Sequence, residues 1–201
     1  MSADKHILFF DFETTGIPLW NDPSEADAQP HAVQLAAKLV NFKTRKTVQT
    51  IDLIAKPDGW SISPELTEIH GITNEYAMLF GVPEKLLFET LFALARASDL
   101  RVAHSEPFDA RIQRIGMKRF MNDELLLEEW RAGNRACTMR DSKKDVNALN
   151  AAGRLKNPTL GESYFHYTKQ TLSGAHNAMV DVEACETIYF AMRDNEKQAA
   201  E

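Results

Sequence analysis

Positive charge is the scarcer sign in this chain. Lys and Arg number 23 against 29 Asp and Glu, a formal net charge of −6. A nucleic-acid binder that relies on bulk charge is normally basic, because Lys and Arg replace the counterions of the phosphates. Either nucleic acid is not the partner, or the acidic residues serve something local, such as metal ions. Cysteine is scarce too. Cys137 and Cys185 lie in apolar surroundings with no CxxC or His-rich spacing. That argues against a disulfide scaffold and a structural zinc site, and fits reduced core thiols in a cytosolic protein. No apolar run approaches the length of a membrane span, and MSADKH lacks a signal-peptide pattern, so the expectation is a soluble, cytoplasmic protein without a membrane partner. Nine Gly and eight Pro are too few for a fibrous or low-complexity chain. What remains, 201 residues of which 44% are apolar, suits one sizeable α/β domain over residues 1–201 better than two small ones.

Periodicity and punctuation divide the chain. Residues 6–12 read as a buried strand. Residues 16–31 hold three prolines and many turn formers and read as a loop, with Trp20 as its anchor. Residues 33–42 and 46–55 read as an antiparallel hairpin that extends the first strand's sheet. Ser63, Pro64 and Gly71 bracket a short helix, and Thr73 marks another turn. Helices are expected at 83–98, at 106–120 with Ser105 as cap, at 140–149, 159–168 and 177–197. Strands are expected at 100–104 and 135–139, and the polar end DNEKQAAE is expected to fray. This order predicts an α/β fold with a mixed five-stranded sheet flanked by helices.

One feature contradicts an ordinary core strand. ILFFDFETTG places Asp11 and Glu13 on one face of the strand, because alternate residues share a face, while Phe12 points into the core. Two carboxylates there repel each other unless a cation lies between them, and Mg²⁺ prefers carboxylate oxygens and retained waters. Alone the pair is short and common, and solvation at a strand end would account for it. Two further stretches change that. In AHSEPFD, Asp109 falls in the first turn of a helix that follows a central strand. In GAHNAMVD, Asp181 falls on the apolar side of the last helix and needs a partner. His176, five residues earlier, would sit roughly 140° away on a helical wheel, so the Ser-Gly-Ala before it suggests a loop leading into the helix. A flexible His near a metal-bound Asp is suited to general-base work.

Together DFETTG, HSEPFD and HNAMVD resemble the DEDDh family of 3′–5′ exonucleases, with lesser echoes in EIHGI, CTM and PTLGE, over about residues 6–192. Asn177, four before Asp181, excludes the branch that carries Tyr there. Ser105 stands where the family often has Asn. The resemblance implies a ribonuclease-H-like three-layer fold and two-metal hydrolysis. Asp11 would bridge two Mg²⁺ ions, for which Mn²⁺ could substitute. Glu13 and Asp181 would complete the first ion's shell, Asp109 would act mainly through water, and His176 would be the base. Thr14, Thr15, Gly16, His70, Ile72 and Phe108 are candidates for contacting the terminal nucleotide, although a plain turn, a helix C-cap and a core aromatic would explain them as well. His104 reads as a satisfied strand-end histidine. The basic stretch RIQRIGMKR, 111–119, could track a nucleic-acid backbone or be a solvated face. The expected partner is the 3′ end of single-stranded DNA, with RNA as the alternative substrate, an inactive scaffold as a third reading, and a polymerase partner for which no tether is seen.

Overall fold

The computed structural model describes residues 4–200, with side chains through residue 198. Met1–Ala3 and Glu201, parts of the expected domain and tail, lie outside the described residues. The chain opens with β1 (His6–Thr14), β2 (Ala32–Asn41) and β3 (Thr47–Lys56), followed by α1 (Pro64–His70), α2 (Asn74–Phe80), β4 (Val82–Pro83) and α3 (Glu84–Arg96). Then come β5 (Leu100–Ala103), α4 (Glu106–Gly116), α5 (Glu124–Ala132), β6 (Arg135–Cys137), α6 (Thr138–Asp141), α7 (Lys143–Val146), α8 (Leu160–Thr168) and α9 (Ala178–Ala200).

The strands form one mixed sheet in the order β4-β3-β2-β1-β5-β6. The expected hairpin is present: β2 pairs antiparallel with both β1 and β3. β5 runs parallel to β1 and to β6. Among the described residues the sheet has six strands rather than the expected five. The extra one, β4, is two residues long and pairs parallel with the end of β3. A strand that short carries no periodicity, and its Pro83 mimics a helix start. Its placement depends on Gly81, where an added Cβ would lie 2.4 Å from the Ala77 carbonyl oxygen and 2.6 Å from the Lys56 amide nitrogen.

β1 is central and buried on both faces. Leu8, Phe10 and Phe12 join the larger core with Leu87, Phe88 and Leu91 of α3 and Ile112 of α4. Ile7 and Phe9 face the other way and pack with Ala178, Val182, Cys185 and Tyr189 of α9. Those four positions lie on one helical stripe, as spacings of three and four residues require. Helices therefore cover both sheet faces, the three-layer arrangement expected.

Other boundaries moved for local reasons. α4 leaves α-geometry at Met117, widens into one π-helical turn over Met117–Met121, and stops at Asn122, whose φ is +46°. Ser105 stands at the start of α4, but its hydroxyl makes no capping bond. The expected helix over 140–149 is two short ones that meet at the buried Ser142, which contacts the Ser163 hydroxyl at 3.2 Å. α5, which the sequence reading did not assign, is capped by Asp123, whose carboxylate accepts from the Leu125 and Leu126 amides. The tail expected to fray is helical through Ala200, and Asp194 pairs with Arg45 across to the β2–β3 turn. No helix among the described residues is long and apolar enough to cross a membrane.

Gly81→Ala forces a methyl group against backbone that cannot yield. It should cost about 1–3 kcal/mol, read as a lower urea midpoint at an unaltered m-value.

Candidate active site

The α9-facing side of β1 is apolar at Ile7 and Phe9 and becomes acidic at Asp11 and Glu13, the next two residues of the same face. Asp181, half-buried one turn after Ala178, borders the α9 stripe that packs against this face. Asp109 comes from the opposite layer. It is 2% exposed in the first turn of α4, and its Oδ1 accepts the Phe12 amide at 3.2 Å. The four expected carboxylates thus converge on the C-terminal end of β1 from three elements.

Their charges oppose one another. The Asp11 carboxyl is held well above its ordinary value, first by burial and then by the charges of Asp109, Asp181 and Glu13. Burial, then Asp181, pushes Glu13 from 4.5 to about 7. Asp109 is likewise raised, chiefly by burial, against the opposing hydrogen bond from Phe12. Burial raises Asp181, opposed by the His176 amide and ring. A group of acids destabilised as anions is stabilised by any cation it can bind.

His176 lies outside the last helix, at φ +68°, where the chain enters α9. Asn177 caps the helix by accepting from the Met179 and Val180 amides. The left-handed turn at His176 overcomes the separation that a helical wheel assigns to the pair. Its amide donates to Asp181 Oδ2 at 3.2 Å, and ligand atoms of Glu13, His176 and Asp181 all lie within 4.8 Å of one another. Asp181 Oδ1 is buried and has no hydrogen-bond partner among the described residues. An orphaned carboxylate oxygen beside a second carboxylate and an imidazole fits a divalent cation.

The other candidate residues have mixed positions. The Thr14 hydroxyl donates to the Gly16 carbonyl, and Thr15 exchanges hydrogen bonds with His31 through both its amide and its hydroxyl oxygen. These bonds shape the turn that follows Glu13. His70 is buried, its Nδ1 accepting the Ile72 amide at 3.2 Å, and burial, then the neighbouring His176, hold its ring below the ordinary histidine range. His70 and Ile72 line a groove that Asn177 also borders. Phe108 packs against the larger core. His104 is satisfied as expected, between the Thr138 hydroxyl and the Pro158 carbonyl.

Two expectations about charge and anchoring change. Within the basic stretch, Arg111 donates to the carbonyls of Leu19 and Asp22, and Arg119 to those of Gln29 and Pro30. These guanidinium groups pin the 16–31 loop rather than face solvent as a phosphate track. The buried Gln29 closes the same loop on Leu19 and Pro23, whereas Trp20 is half exposed. Gln29 gave no signal in the sequence, because a lone Gln among turn formers reads as surface. Tyr76 and Phe80, which no motif singled out, line the groove beside His70.

A mixed sheet between helical layers, with acids gathered at the end of its first strand, is the ribonuclease-H-like exonuclease fold. The chain belongs to the RNase T exonuclease family, whose profile matches residues 8–189. Among solved structures it is similar to E. coli exonuclease I in complex with a dA16 oligonucleotide, at 20% identity and a TM-score of 0.71, over 94% of this chain and 41% of that one. A product-bound exonuclease I structure matches at 19% identity and a TM-score of 0.73, over 97% and 45% of the two chains. The zinc-bound form of the E. coli complex with single-stranded DNA matches at 21% and 0.70, over 98% and 41%. At these identities the likeness is one of fold, and the chain spans less than half the length of those proteins. No curated protein matches the sequence.

Glu13 has a raised pKa in the folded state, so its contribution to stability is full below about 4.5 and lost as pH rises through about 7. The metal-free protein should therefore melt lower at pH 8 than its other titrations dictate, and Glu13→Gln should remove that loss. Mn²⁺ or Mg²⁺ should raise the wild-type melting temperature more at pH 8 than at pH 5.5, by about 2–4 °C per kcal/mol of binding. Differential scanning fluorimetry with and without chelator reads both effects.

Proposed function

We propose that this domain is a metal-dependent 3′–5′ exonuclease that releases nucleoside monophosphates from the 3′ end of single-stranded DNA. The observation that carries the reading is the convergence of Asp11, Glu13, Asp109 and Asp181 with His176 at one end of β1, each carboxyl destabilised as an anion by burial. Membership of an exonuclease family and the oligonucleotide-bound state of its structural neighbours support it.

The proposed reading has two divalent ions, Mg²⁺ as the native ion and Mn²⁺ as an expected substitute, one of them at the Glu13, His176 and Asp181 ligand atoms that lie within 4.8 Å of one another. Glu13 and Asp181 would hold one ion, Asp11 would be shared, and Asp109 would complete the acidic shell. When bound, the ions would neutralise the scissile phosphate and polarise its oxygens. The protein's own groups supply the rest. His176, exposed and outside the helix, can take the proton of the attacking water, and its backbone amide bond to Asp181 keeps the imidazole near the acids. The Thr14-Thr15-Gly16 turn brings backbone to the terminal nucleotide, and His70 and Ile72 form the wall beside it. An acidic chain could then act on a polyanion, because bound metal ions rather than lysines would meet the reacting phosphate.

A 5′-labelled single-stranded oligonucleotide tests this directly. With Mn²⁺ or Mg²⁺ it should shorten from its 3′ end, and chelator should stop the reaction. Asp11→Ala should lose at least about a hundredfold in kcat, and His176→Ala about 10²–10⁴-fold. A 5′-to-3′ ladder, or full activity in Asp11→Ala, would sink the reading. Faster cleavage of a matched RNA would reassign the enzyme to RNA ends.

A further inference from the structure

Beside the acidic site lies a groove of about 590 Å³ between β3, the α1–α2 segment and the start of α9. Among the described residues that line it, Asp52 is the one formally charged, and its carboxylate accepts from the Gln34 side-chain amide at 2.7 Å. A wall with that charge and no Lys or Arg repels phosphate and suits the apolar faces of bases. Tyr76 and Phe80 lie one helical turn apart on α2, with ring centroids 4.8 Å apart at 51°. They are 50% and 63% exposed, and both line the groove. Large rings left in water beside a candidate active site call for a partner.

A second observation comes from the groove's inner end. His70 is 6% exposed, and its Nδ1 accepts the Ile72 amide, so in the neutral ring the proton sits on Nε2. That Nε2 is buried and has no partner among the described residues. The groove therefore carries aromatic rings on one wall and an unpartnered donor at His70, and Asn177, next to His176 in the chain, borders it as well.

We propose that Tyr76 and Phe80 form a stacking shelf for the bases that precede the 3′ end of an unpaired strand, and that the His70 Nε2–H donates to the nucleotide nearest the acidic site. The proposal rests on the exonuclease reading above. Ring-on-base stacking tolerates any sequence, because every base offers a π-face. It also requires bases freed from a duplex stack, so the shelf selects single strands. Asp52 keeps the phosphates on the solvent side.

The test uses an oligothymidylate carrying 2-aminopurine next to its 3′ end, bound in Ca²⁺. Its fluorescence should be quenched by the wild-type protein. Tyr76→Ala and Phe80→Ala should each weaken binding about tenfold and relieve the quenching, and Tyr76→Phe should restore both. In Mn²⁺, the preference in kcat/KM for the oligonucleotide over the p-nitrophenyl ester of thymidine 5′-monophosphate should fall by a similar factor. Undiminished quenching in the alanine variants would overturn the shelf, as would equal losses on the two substrates, which would mark a structural role. Unaltered quenching, together with wild-type self-association that the variants abolish in sedimentation, would assign the exposed α2 face to protein contact instead. A wild type that binds and quenches but cleaves neither substrate would leave the shelf standing and sink the nuclease reading.

Discussion

The hydrogen bond from the Phe12 amide to the Asp109 carboxylate joins the two halves of the acidic site. Phe12 sits between Asp11 and Glu13, its ring in the larger core and its amide at the strand's end. Asp109 belongs to α4, on the core side of the sheet, yet this bond draws its carboxylate to the strand edge where the others gather. A charge-assisted bond of this kind is worth about 1.5–3 kcal/mol, far less than the cost of leaving several buried carboxylates mutually repelling. The fold tolerates that cost because β1 is the central strand, buried on both faces, with α9 and α4 both packed against it. The acids are held by a core that cannot relax away from them.

This constraint explains the rest of the site. Ile7 and Phe9 anchor α9 against β1, so Asp181 is delivered next to Glu13 by apolar packing rather than by attraction between charges. The left-handed turn at His176 then brings an imidazole to the pair without making it part of the helix. Rigidity in the carboxylates and freedom in the histidine suit their proposed roles. Metal ligands gain from preorganisation, and a proton carrier must move between acceptor and solvent.

The distribution of basic residues is equally telling. Arg111 and Arg119 secure the loop after the first motif, and Arg101 lies over the Trp130 ring at 3.5 Å while donating to the Trp130 carbonyl. Two of the four cations in the basic stretch 111–119, Arg111 and Arg119, are structural. The groove beside the site carries aromatic rings and a carboxylate instead, and the net charge of −6 follows the same pattern.

Much of this was legible in the chain because its signals are local. Alternation in ILFFDFETTG set Asp11 and Glu13 on one face, the spacing of HNAMVD separated His176 from the helix of Asp181, and the hairpin over 33–55 followed from strand patterns around a turn. What escaped has no local signal. β4 is two residues long and exists because Gly81 lets α2 press onto β3. Gln29 shows its role only once the loop closes on itself, and Arg111 only when its helix meets loop residues 89 and 92 positions earlier. Phe108 could be a stacking residue or a core residue until packing put it against the core. Tyr76 and Phe80 belong to no motif, and only the placement of α2 leaves them bare beside the acidic site. Residue type and spacing by themselves determined which groups could bind metal and move a proton, since that chemistry belongs to the side chains. Tertiary structure alone decided which cations were free and which rings were exposed, because burial and partnership depend on segments distant in the chain.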